Sequence, residues 1–468
     1  VANLTDVGTG LVILLGDDPG AWASQNDQDT RPIAAGTELP MMEPATPQEG
    51  VDMTVAAFEL SKNMQMPVIL RITKSFGIMK REVDLADLPK PTTLTGHTFA
   101  REAMRWISVP TNAVELHRRL HERVASVADR FEEASFNCIA GSGSRGIIAG
   151  GYAYTKLMDV IDDLEKGSWR VLKLGTLAPL PKQTITAFMR SVDEVLVLEE
   201  NEPFIEIQIK AIAYDAGLQT PVHGKQDRMV SREGELFRWQ IAEALPAFNP
   251  GWLPNRVFSP EDEKKYMPSL SGLPTNCPYT PVFEILKELS HELEVEPVYV
   301  VDPGCAIKIN TPPFQMLDVK YSMGSSIGIA SGLVLAGVTD PVIAVVGDSD
   351  FFHLGVNALF NVAHQGSDLL VIVLDNATTA LSGFQPAPGV ESDKNLNPLR
   401  IEGVAEACPV SQLQVIDPWQ PIETRMTLKE GLTSSGLRVI VSRSPCPYID
   451  DGFCPGYQAK SSAVSARI

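Results

Sequence analysis

The sequence lacks the features of an exported, membrane-spanning or nucleic-acid-binding protein. Its six cysteines contain no C-x-x-C pair, so a disulfide scaffold is not expected and buried reduced thiols are the simplest interpretation. No apolar run reaches the ~18 residues that a membrane-spanning helix needs, and no signal peptide is recognisable. The net charge of −19 disfavours nucleic acid as a partner. These absences predict a cytoplasmic protein that spans no membrane.

The 468 residues contain enough apolar sequence for two or three cores, since 44% are hydrophobic and 21% are charged. Strand and helix patterns alternate in three successive blocks, and proline-bearing or charged stretches separate them. The predicted fold class is α/β, with parallel-sheet domains in series. The predicted divisions are a first domain (1–90), a linker and helix (91–135), a second domain (136–245), a second linker (246–269), a third domain (270–445) and a tail (446–468).

The first domain begins with a strand over residues 11–15 and has a second strand over residues 67–73. Between them, Val51, Val55 and Phe58 recur at helical spacing. An acidic residue in the first turn also favours a helix. The pattern therefore predicts a strand–helix–strand unit.

Two strands of the third domain each end in a polar pair. Residues 342–346 and 369–374 are apolar and rich in β-branched side chains, as buried parallel strands are. Asp348 follows the first strand and Asn376 follows the second. Because residues 354–365 are typical of a crossover helix, both side chains should emerge at the same carboxyl edge of one sheet. Open α/β sheets bind their ligands at that edge.

Asp348 and Asn376 have the right chemistry to hold a metal ion. Their oxygens are hard ligands that Mg²⁺ accepts alongside phosphate oxygens, and Gly347 would let the backbone approach a diphosphate closely. The GD…N spacing of 28 residues, 376 minus 348, resembles the thiamine diphosphate motif of transketolase-like enzymes. Such strand-GD and strand-DN pairs also occur in many βαβ units. On spacing alone, two ordinary loops without a metal remain an alternative.

The surrounding sequence resembles one family. GDSDFFHLGVNALFNVAHQGSDLLVIVLDNATTALSGFQPAPG is similar to the thiamine-binding segment of the large subunit of indolepyruvate ferredoxin oxidoreductase, one of the 2-oxoacid:ferredoxin oxidoreductases. DDPGAWASQNDQDTR, MMEPATPQE and MPVILRIT resemble its pyrimidine-side domain, while VLKLGTLAPLP, EENEPFIEIQIKA and HGK resemble its middle domain. The resemblance implies the transketolase-like thiamine diphosphate-binding fold. Residues 1–90 would be the pyrimidine-side domain, 136–245 a transketolase C-terminal-like middle domain and 270–445 the diphosphate-side domain.

The resemblance also implies which residues hold the cofactor. Asp348 and Asn376 would bind Mg²⁺, and the Thr378 carbonyl would be a third ligand. Gly347 and Ser349 would cradle the diphosphate of thiamine diphosphate.

Three further segments are candidates for the site. Gly324-Ser325-Ser326, at a predicted helix start, offers N–H donors to the diphosphate, although plain capping by serine explains it equally well. His353 could shuttle protons near neutral pH, or it could be a structural hydrogen bonder. The loop 24–29, with Gln25 and Asn26, is similar to a family loop and either closes on cofactor and substrate or forms a solvated turn.

The cysteines match the family only in part. Cys277 and Cys305 take family positions, but Pro274 stands where the family segment CPGCPHR has its first cysteine. Tyr279 and Thr280 replace the His-Arg pair of that segment, which casts doubt on substrate or coenzyme A handling. A [4Fe–4S] cluster usually needs four thiolates. Two more cysteines make such a site arithmetically possible, and apolar packing of the thiols is the alternative; these two are Cys446 and Cys454.

The reaction that the resemblance implies is the oxidative decarboxylation of an arylpyruvate such as indolepyruvate. The substrate would lose CO₂, pass two electrons through iron–sulfur centres to ferredoxin, and deliver its acyl group to coenzyme A. A smaller oxidoreductase subunit normally completes this site, so a hetero-oligomer is expected, with clusters on the partner if this chain has none. A non-oxidative thiamine diphosphate 2-oxoacid decarboxylase and a non-catalytic scaffold subunit of a redox complex are the alternatives.

Both ends of the sequence differ from the family pattern. It enters partway through the pyrimidine-side domain, without the loop whose glutamate contacts the aminopyrimidine, and it stops before the family's ferredoxin-like domain. A fragment or a split polypeptide would each explain this. Strand 11–15 would then present an unpaired edge, which proteins normally cover, so we expect a partner chain there.

Overall fold

The computed structural model describes residues 2–22, 26–86, 88, 101–165, 167–261, 272–391 and 397–449. The chain divides into two compact units, Val1–Pro268 (unit 1) and Ser269–Ile468 (unit 2). Both units are α/β, as the sequence predicted. Within the described ranges, no helix combines the length and the apolar character that crossing a membrane requires.

Unit 1 contains two sheets. The first has the strand order β1-β3-β2-β7 and the second has the order β4-β6-β5-β8-β9. The strands are β1 (Val12–Asp17), β2 (Met41–Met42), β3 (Val68–Thr73), β4 (Cys138–Gly141), β5 (Arg145–Gly150), β6 (Trp169–Leu174), β7 (Thr176–Ala178), β8 (Glu194–Leu198) and β9 (Val222–His223). The helices are Arg31–Ala35, Pro47–Met64, Lys74–Gly77, Ala103–Trp106, Ala113–Glu132, Gly151–Val160, Lys182–Met189, Phe204–Asp215 and Arg238–Phe248.

The two sheets of unit 1 are not separate bodies. β7 pairs antiparallel with β2, and one hydrophobic cluster contains buried residues from both sheets. Met53 of the helix Pro47–Met64 and Ile209 of the helix Phe204–Asp215 both belong to that cluster. At the other end of the first sheet, β1 pairs only with β3 among the described strands, and its side chains Ile13 and Leu14 are exposed.

The helix Pro47–Met64 shows why it begins where it does. The Thr46 side chain accepts a hydrogen bond from the Glu49 amide, and the Glu49 side chain accepts one from the Ala45 amide, so one free N–H group of the first turn and one just before the helix are satisfied. The face that packs inward carries Met53 and Leu60. Phe58, which helped to predict the helix, is 48% exposed.

Unit 2 is built on one six-stranded sheet whose pairings are all parallel, in the order β11-β10-β12-β13-β15-β14. The strands are β10 (Val298–Val301), β11 (Val319–Lys320), β12 (Val342–Gly347), β13 (Leu369–Asp375), β14 (Gln412–Ile416) and β15 (Leu437–Arg443). The helices are Tyr279–Leu293, Ser325–Leu335, Asp348–Asp350, Val356–Gln365, Ile401–Ala405 and Pro421–Thr433, with 3₁₀ turns at Cys305–Asn310 and Ala380–Ser382 and a π-helical turn at Phe351–Gly355. Apolar side chains bury both faces of the sheet.

The crossover between β12 and β13 starts earlier than the sequence predicted. Helical structure begins at Asp348, directly after β12, and continues through the π-helical turn Phe351–Gly355 into the helix Val356–Gln365. The prediction placed this helix at 354–365 and took the preceding residues as a loop. Asp348 therefore sits at the start of a helix rather than within a loop.

Buried charges hold the first sheet of unit 1 in place. Arg71 on β3 is fully buried; its Nε donates to Asp17 Oδ2 at 2.7 Å, and its terminal nitrogen lies 2.8 Å from Glu43 Oε2. Arg31 lies 3.0 Å from Glu199, which follows β8 of the second sheet. Because a buried ion left without its partner is expensive, each of these groups depends on the others.

Replacing Arg71 with methionine should therefore destabilise the protein strongly. We expect Arg71→Met to lower the free energy of unfolding by about 3–5 kcal/mol, since it strands two buried carboxylates. The matched control is Arg118→Met, whose exposed ion pairs with Glu115 and Glu122 should contribute little to the stability. Urea denaturation of both variants measures the difference. Equal losses would show that the Arg71 network contributes little.

Candidate functional site

The candidate site lies at the carboxyl edge of the sheet in unit 2. β12 and β13 are adjacent and in register, with Gly347 opposite Leu374, so the residues that follow both strands reach the same edge. Asp348 is 4% exposed and Asn376 is 5% exposed. The sequence predicted this placement from the strand endings, and the observed pairing agrees with that prediction.

Asp348 is the most unusual group at this edge. Its Oδ1 accepts a hydrogen bond from the Ser349 amide at 2.7 Å, but its buried Oδ2 has no hydrogen-bond donor among the described residues. Burial raises the pKa of Asp348 to about 8, and the neighbouring Asp375 carboxylate adds to the increase. A buried carboxylate oxygen without a donor costs free energy unless a proton or a cation satisfies it, and a cation would replace the proton that the raised pKa favours.

Two further acids lie in the same region and were missed by the sequence analysis. Asp302 follows β10, and burial raises its pKa to about 6. Asp350 has a pKa of about 7, raised by burial and then by the charge of Asp302. The signal for Asp302 was present, since it follows an apolar strand just as Asp348 does. Three buried carboxylates therefore concentrate potential negative charge at this edge of the sheet.

Asn376 and Thr378 form a tight turn after β13. The Asn376 side-chain oxygen accepts a hydrogen bond from the Thr378 amide at 3.2 Å, and Ala377 between them has a φ of +62°. The Thr378 hydroxyl donates to the Gln385 carbonyl at 3.2 Å. The Asn376 carbonyl also accepts a hydrogen bond from the Cys446 amide at 2.9 Å. These bonds hold both predicted ligands in fixed, buried positions.

Gly347 leaves open space where a ligand could approach. A Cβ added to Gly347 would meet no heavy atom nearer than Asp350 Oδ2, at 3.9 Å. Ser349 is 8% exposed and lies in the first helical turn. The residues present therefore fit a diphosphate with its Mg²⁺: carboxylate and amide oxygens beside an unfilled backbone approach and a helix start.

The N–H groups at the start of the helix Ser325–Leu335 have a different partner. The amides of Gly324 and Ser326 donate to the two oxygens of Asp302, at 2.7 and 2.8 Å. Gly324 has a φ of +71°, and an added Cβ would lie 2.4 Å from Leu354 Cβ, so only glycine fits there. A diphosphate could use these N–H groups only by replacing Asp302, so the role predicted for Gly324-Ser325-Ser326 stays a prediction.

The catalytic residues predicted from the sequence are divided between the two units. His353 is exposed, on the π-helical turn rather than on a loop. Gln25 lies outside the described residues. Asn26, in unit 1, donates from its side chain to Gln28 at 2.6 Å. Catalytic roles for these three residues remain predictions.

Three thiols of unit 2 lie near enough to interact electrostatically. Burial raises the pKa of Cys277, Cys305 and Cys446, that of Cys305 to about 11, and the Cys446 thiol adds to the rise at both Cys277 and Cys305. Cys454 lies outside the described residues, and Pro274 occupies the remaining family position. A [4Fe–4S] cluster usually has four thiolate ligands, so the described residues supply an incomplete set.

Comparisons with known proteins agree with this geometry. Residues 303–442 match the C-terminal TPP-binding domain of thiamine pyrophosphate enzymes, and residues 140–247 match an indolepyruvate oxidoreductase domain. The IorA subunit of indolepyruvate oxidoreductase from Pyrococcus abyssi is 34% identical over 467 residues, covering 94% of this chain and 71% of the relative. Its counterpart from Thermococcus kodakarensis is 33% identical over 465 residues, covering 93% and 71%.

Among solved structures, a 2-oxoglutarate:ferredoxin oxidoreductase from Magnetococcus marinus is similar at 18% identity, with a TM-score of 0.34 and coverage of 38% of this chain and 65% of that one. A TM-score this low carries no weight for the fold or the function of this chain.

The sheet of unit 2 and the match over its strands define the class: this is a thiamine diphosphate-binding α/β protein. The two IorA relatives are 33% and 34% identical to this chain over 93% and 94% of its length, and this similarity identifies the family as well as the class. The chain belongs to the IorA family of indolepyruvate oxidoreductase subunits. The family resemblance seen in the sequence is confirmed.

Because Oδ2 of Asp348 is buried, replacing Asp348 should affect the stability in opposite directions without and with a bound cation. In EDTA, Asp348→Ala should be as stable as the parent or more stable, by up to about 1–3 kcal/mol, because an unsatisfied buried oxygen is removed. With Mg²⁺ and thiamine diphosphate at about one hundred times Kd, the parent should gain about 2.7 kcal/mol and the variant nothing.

Thermal unfolding under both conditions is the measurement, with Asp340→Ala, an exposed aspartate before β12, as control. A variant that gains as much stability as the parent from Mg²⁺ and cofactor would remove Asp348 from the site.

Proposed function

We propose that this chain is the thiamine diphosphate-binding subunit of an oxidoreductase that decarboxylates an arylpyruvate such as indolepyruvate. The observation that carries the proposal is the donor-free, buried Oδ2 of Asp348, held beside Asn376 at the edge of a parallel sheet. Family membership supports the 2-oxoacid substrate class, since the relatives are named indolepyruvate oxidoreductase subunits.

In this proposal the chain positions the cofactor through five residues. Asp348, Asn376 and the Thr378 carbonyl hold Mg²⁺, and Gly347 and Ser349 receive the diphosphate. When bound, thiamine diphosphate supplies the electron sink that decarboxylation of a 2-oxoacid needs. The protein contributes a rigid, buried edge that excludes water and keeps the ligand oxygens in place.

Electrons and the acyl group leave through partners in this scheme. The acceptor is an iron–sulfur protein such as ferredoxin, and coenzyme A takes the acyl group. A smaller oxidoreductase subunit completes the site, and the exposed apolar side chains Ile13 and Leu14 on the edge strand β1 are a surface for a partner chain to cover. The cluster nearest the cofactor sits either at Cys277, Cys305 and Cys446 or on the partner.

A non-oxidative decarboxylase is the second candidate, because the described thiols that interact with one another are Cys277, Cys305 and Cys446, one fewer than a [4Fe–4S] cluster usually needs, and each has a raised pKa. Such an enzyme needs the same Mg²⁺ and cofactor residues but no iron. The two functions differ in product: one makes an acyl-CoA and reduced acceptor, and the other makes an aldehyde.

The activity assay uses the chain co-purified with its native partner under nitrogen. With indolepyruvate, coenzyme A and a redox dye, we expect dye reduction that depends on all three. The rate of dye reduction should fall at least about a hundredfold in Asp348→Ala and should be unchanged in Asp340→Ala. Aldehyde formed without dye would favour the decarboxylase, and no turnover with any 2-oxoacid would contradict both.

Iron content separates the two electron routes. Since three thiols converge in the described part of the chain, we predict that the isolated chain, prepared without oxygen, binds at most one cluster, or about four irons. Cys277→Ser should abolish any iron found, whereas Cys408→Ser, a buried thiol elsewhere in unit 2, should not change it. About eight irons per chain would show that other residues bind clusters.

A further inference from the structure

Unit 1 contains a group of possible metal ligands that has no part in the functions described above. Glu38 lies in the turn after the helix Arg31–Ala35, and His117 and His121 lie on the helix Ala113–Glu132. The two imidazole Nε2 atoms lie 2.7 and 2.9 Å from the two oxygens of the Glu38 carboxylate. Among the described residues, these three offer one ligand atom each, all within 4.8 Å of one another.

The sequence explains how the histidines come to share one direction. Residues four apart on a helix lie on the same face, one turn above the other. The two rings are 4.4 Å apart between centroids and tilted by 50°, and both direct Nε2 toward Glu38. An i, i+4 histidine pair on a helix is a common way to present two nitrogen ligands to zinc.

The position of Glu38 is fixed before any ion arrives. Its φ is +57°, a left-handed conformation that a glutamate adopts at some cost, and its amide donates to the Ala35 carbonyl at 3.0 Å. The next residue, Leu39, is buried in the core, as are Leu116 and Leu120 beside the two histidines. Both backbones are therefore held by packing, so a metal would find the ligands already in place.

The surrounding charges do not oppose a cation. Arg118, between the histidines in sequence, is engaged by Glu115 and Glu122, and Arg119 by Glu115. The hydrogen bond from His117 lowers the pKa of Glu38, with His121 adding to the effect, so the carboxylate is anionic at neutral pH. The histidines are about half exposed, which leaves a route for the ion and a place for a water ligand.

We propose that Glu38, His117 and His121 bind one Zn²⁺, or another divalent transition metal that accepts nitrogen ligands. The donor set of two imidazoles and one carboxylate suits zinc with a fourth, water ligand, and it does not suit Mg²⁺ or Ca²⁺, which prefer oxygen. The ion would tie the helix Ala113–Glu132 to the turn that leads into β2. Two histidines donating hydrogen bonds to one glutamate, with no metal, is the competing explanation.

The test uses the full chain with its partner, stripped of metal by a chelator and titrated with ZnCl₂ in a calorimeter. We expect a micromolar site that is absent from the double variant His117→Gln/His121→Gln and weakened at least about tenfold in Glu38→Gln. His291→Gln, which changes an exposed histidine of unit 2, should bind like the parent. Circular dichroism checks that each variant is folded.

Zinc bound by the cysteines of unit 2 would appear in every one of these proteins, so the decisive quantity is the difference of one equivalent between the parent and the double variant. With Co²⁺ in place of zinc, that equivalent should show the visible absorption of a four-coordinate ion. No saturable binding, or a stoichiometry unchanged in the folded double variant, would overturn the proposal.

Discussion

The parallel pairing of β12 with β13 is the constraint on which the candidate site depends. The register Val346 to Val373 and Gly347 to Leu374 fixes the ends of both strands at one level. Because the apolar side chains of these strands pack into the two layers of unit 2, a shift of one residue would move each of them into the opposite layer and disrupt the packing of both, so the register is strongly specified. Asp348 and Asn376 are brought together as a consequence of packing, before any ligand is bound.

The same packing buries carboxyl groups at this edge, so their charged forms cost free energy unless positive charge lies beside them. Asp302, Asp348 and Asp350 all have raised pKa values because burial disfavours their charged forms. In contrast, these buried acids of unit 1 have a guanidinium partner: Asp17 and Glu43 both face Arg71. Glu43 thus has an arginine beside its buried carboxylate, whereas the structure describes no ion pair for the buried carboxylate of Asp348. A cation of the kind that accompanies a diphosphate would supply the missing charge.

Much of this could be predicted from the sequence, and what was missed has physical reasons. The strands of unit 2 are continuous apolar runs of β-branched residues, so both their positions and the polar residues that follow them were readable. The inward face of the helix Pro47–Met64 could not be predicted, because the helix has apolar residues on two faces. Tertiary packing alone determines that Met53 is buried and Phe58 is exposed. The use of the Gly324 and Ser326 amides by Asp302 depends on a contact between residues 22 and 24 positions apart, which no local pattern contains.

The convergence of Cys446 with Cys277 and Cys305 has the same origin. Cys446 follows β15, and its amide bonds to the Asn376 carbonyl, so the sheet order rather than the sequence spacing sets its neighbours. The donor set of Glu38, His117 and His121 could not be found from the sequence either, because Glu38 lies 79 positions before His117. Long-range contacts of this kind are where a single sequence carries least information.

The central claim is that a divalent cation sits between Asp348 and Asn376. Crystals grown with thiamine diphosphate and Mn²⁺, which is visible by anomalous scattering, test it directly. The account predicts an anomalous peak about 2.0–2.3 Å from Asp348 Oδ2, the Asn376 side-chain oxygen and the Thr378 carbonyl. A cofactor bound with its metal on other residues, or ordered cofactor with no peak at this edge, would contradict it.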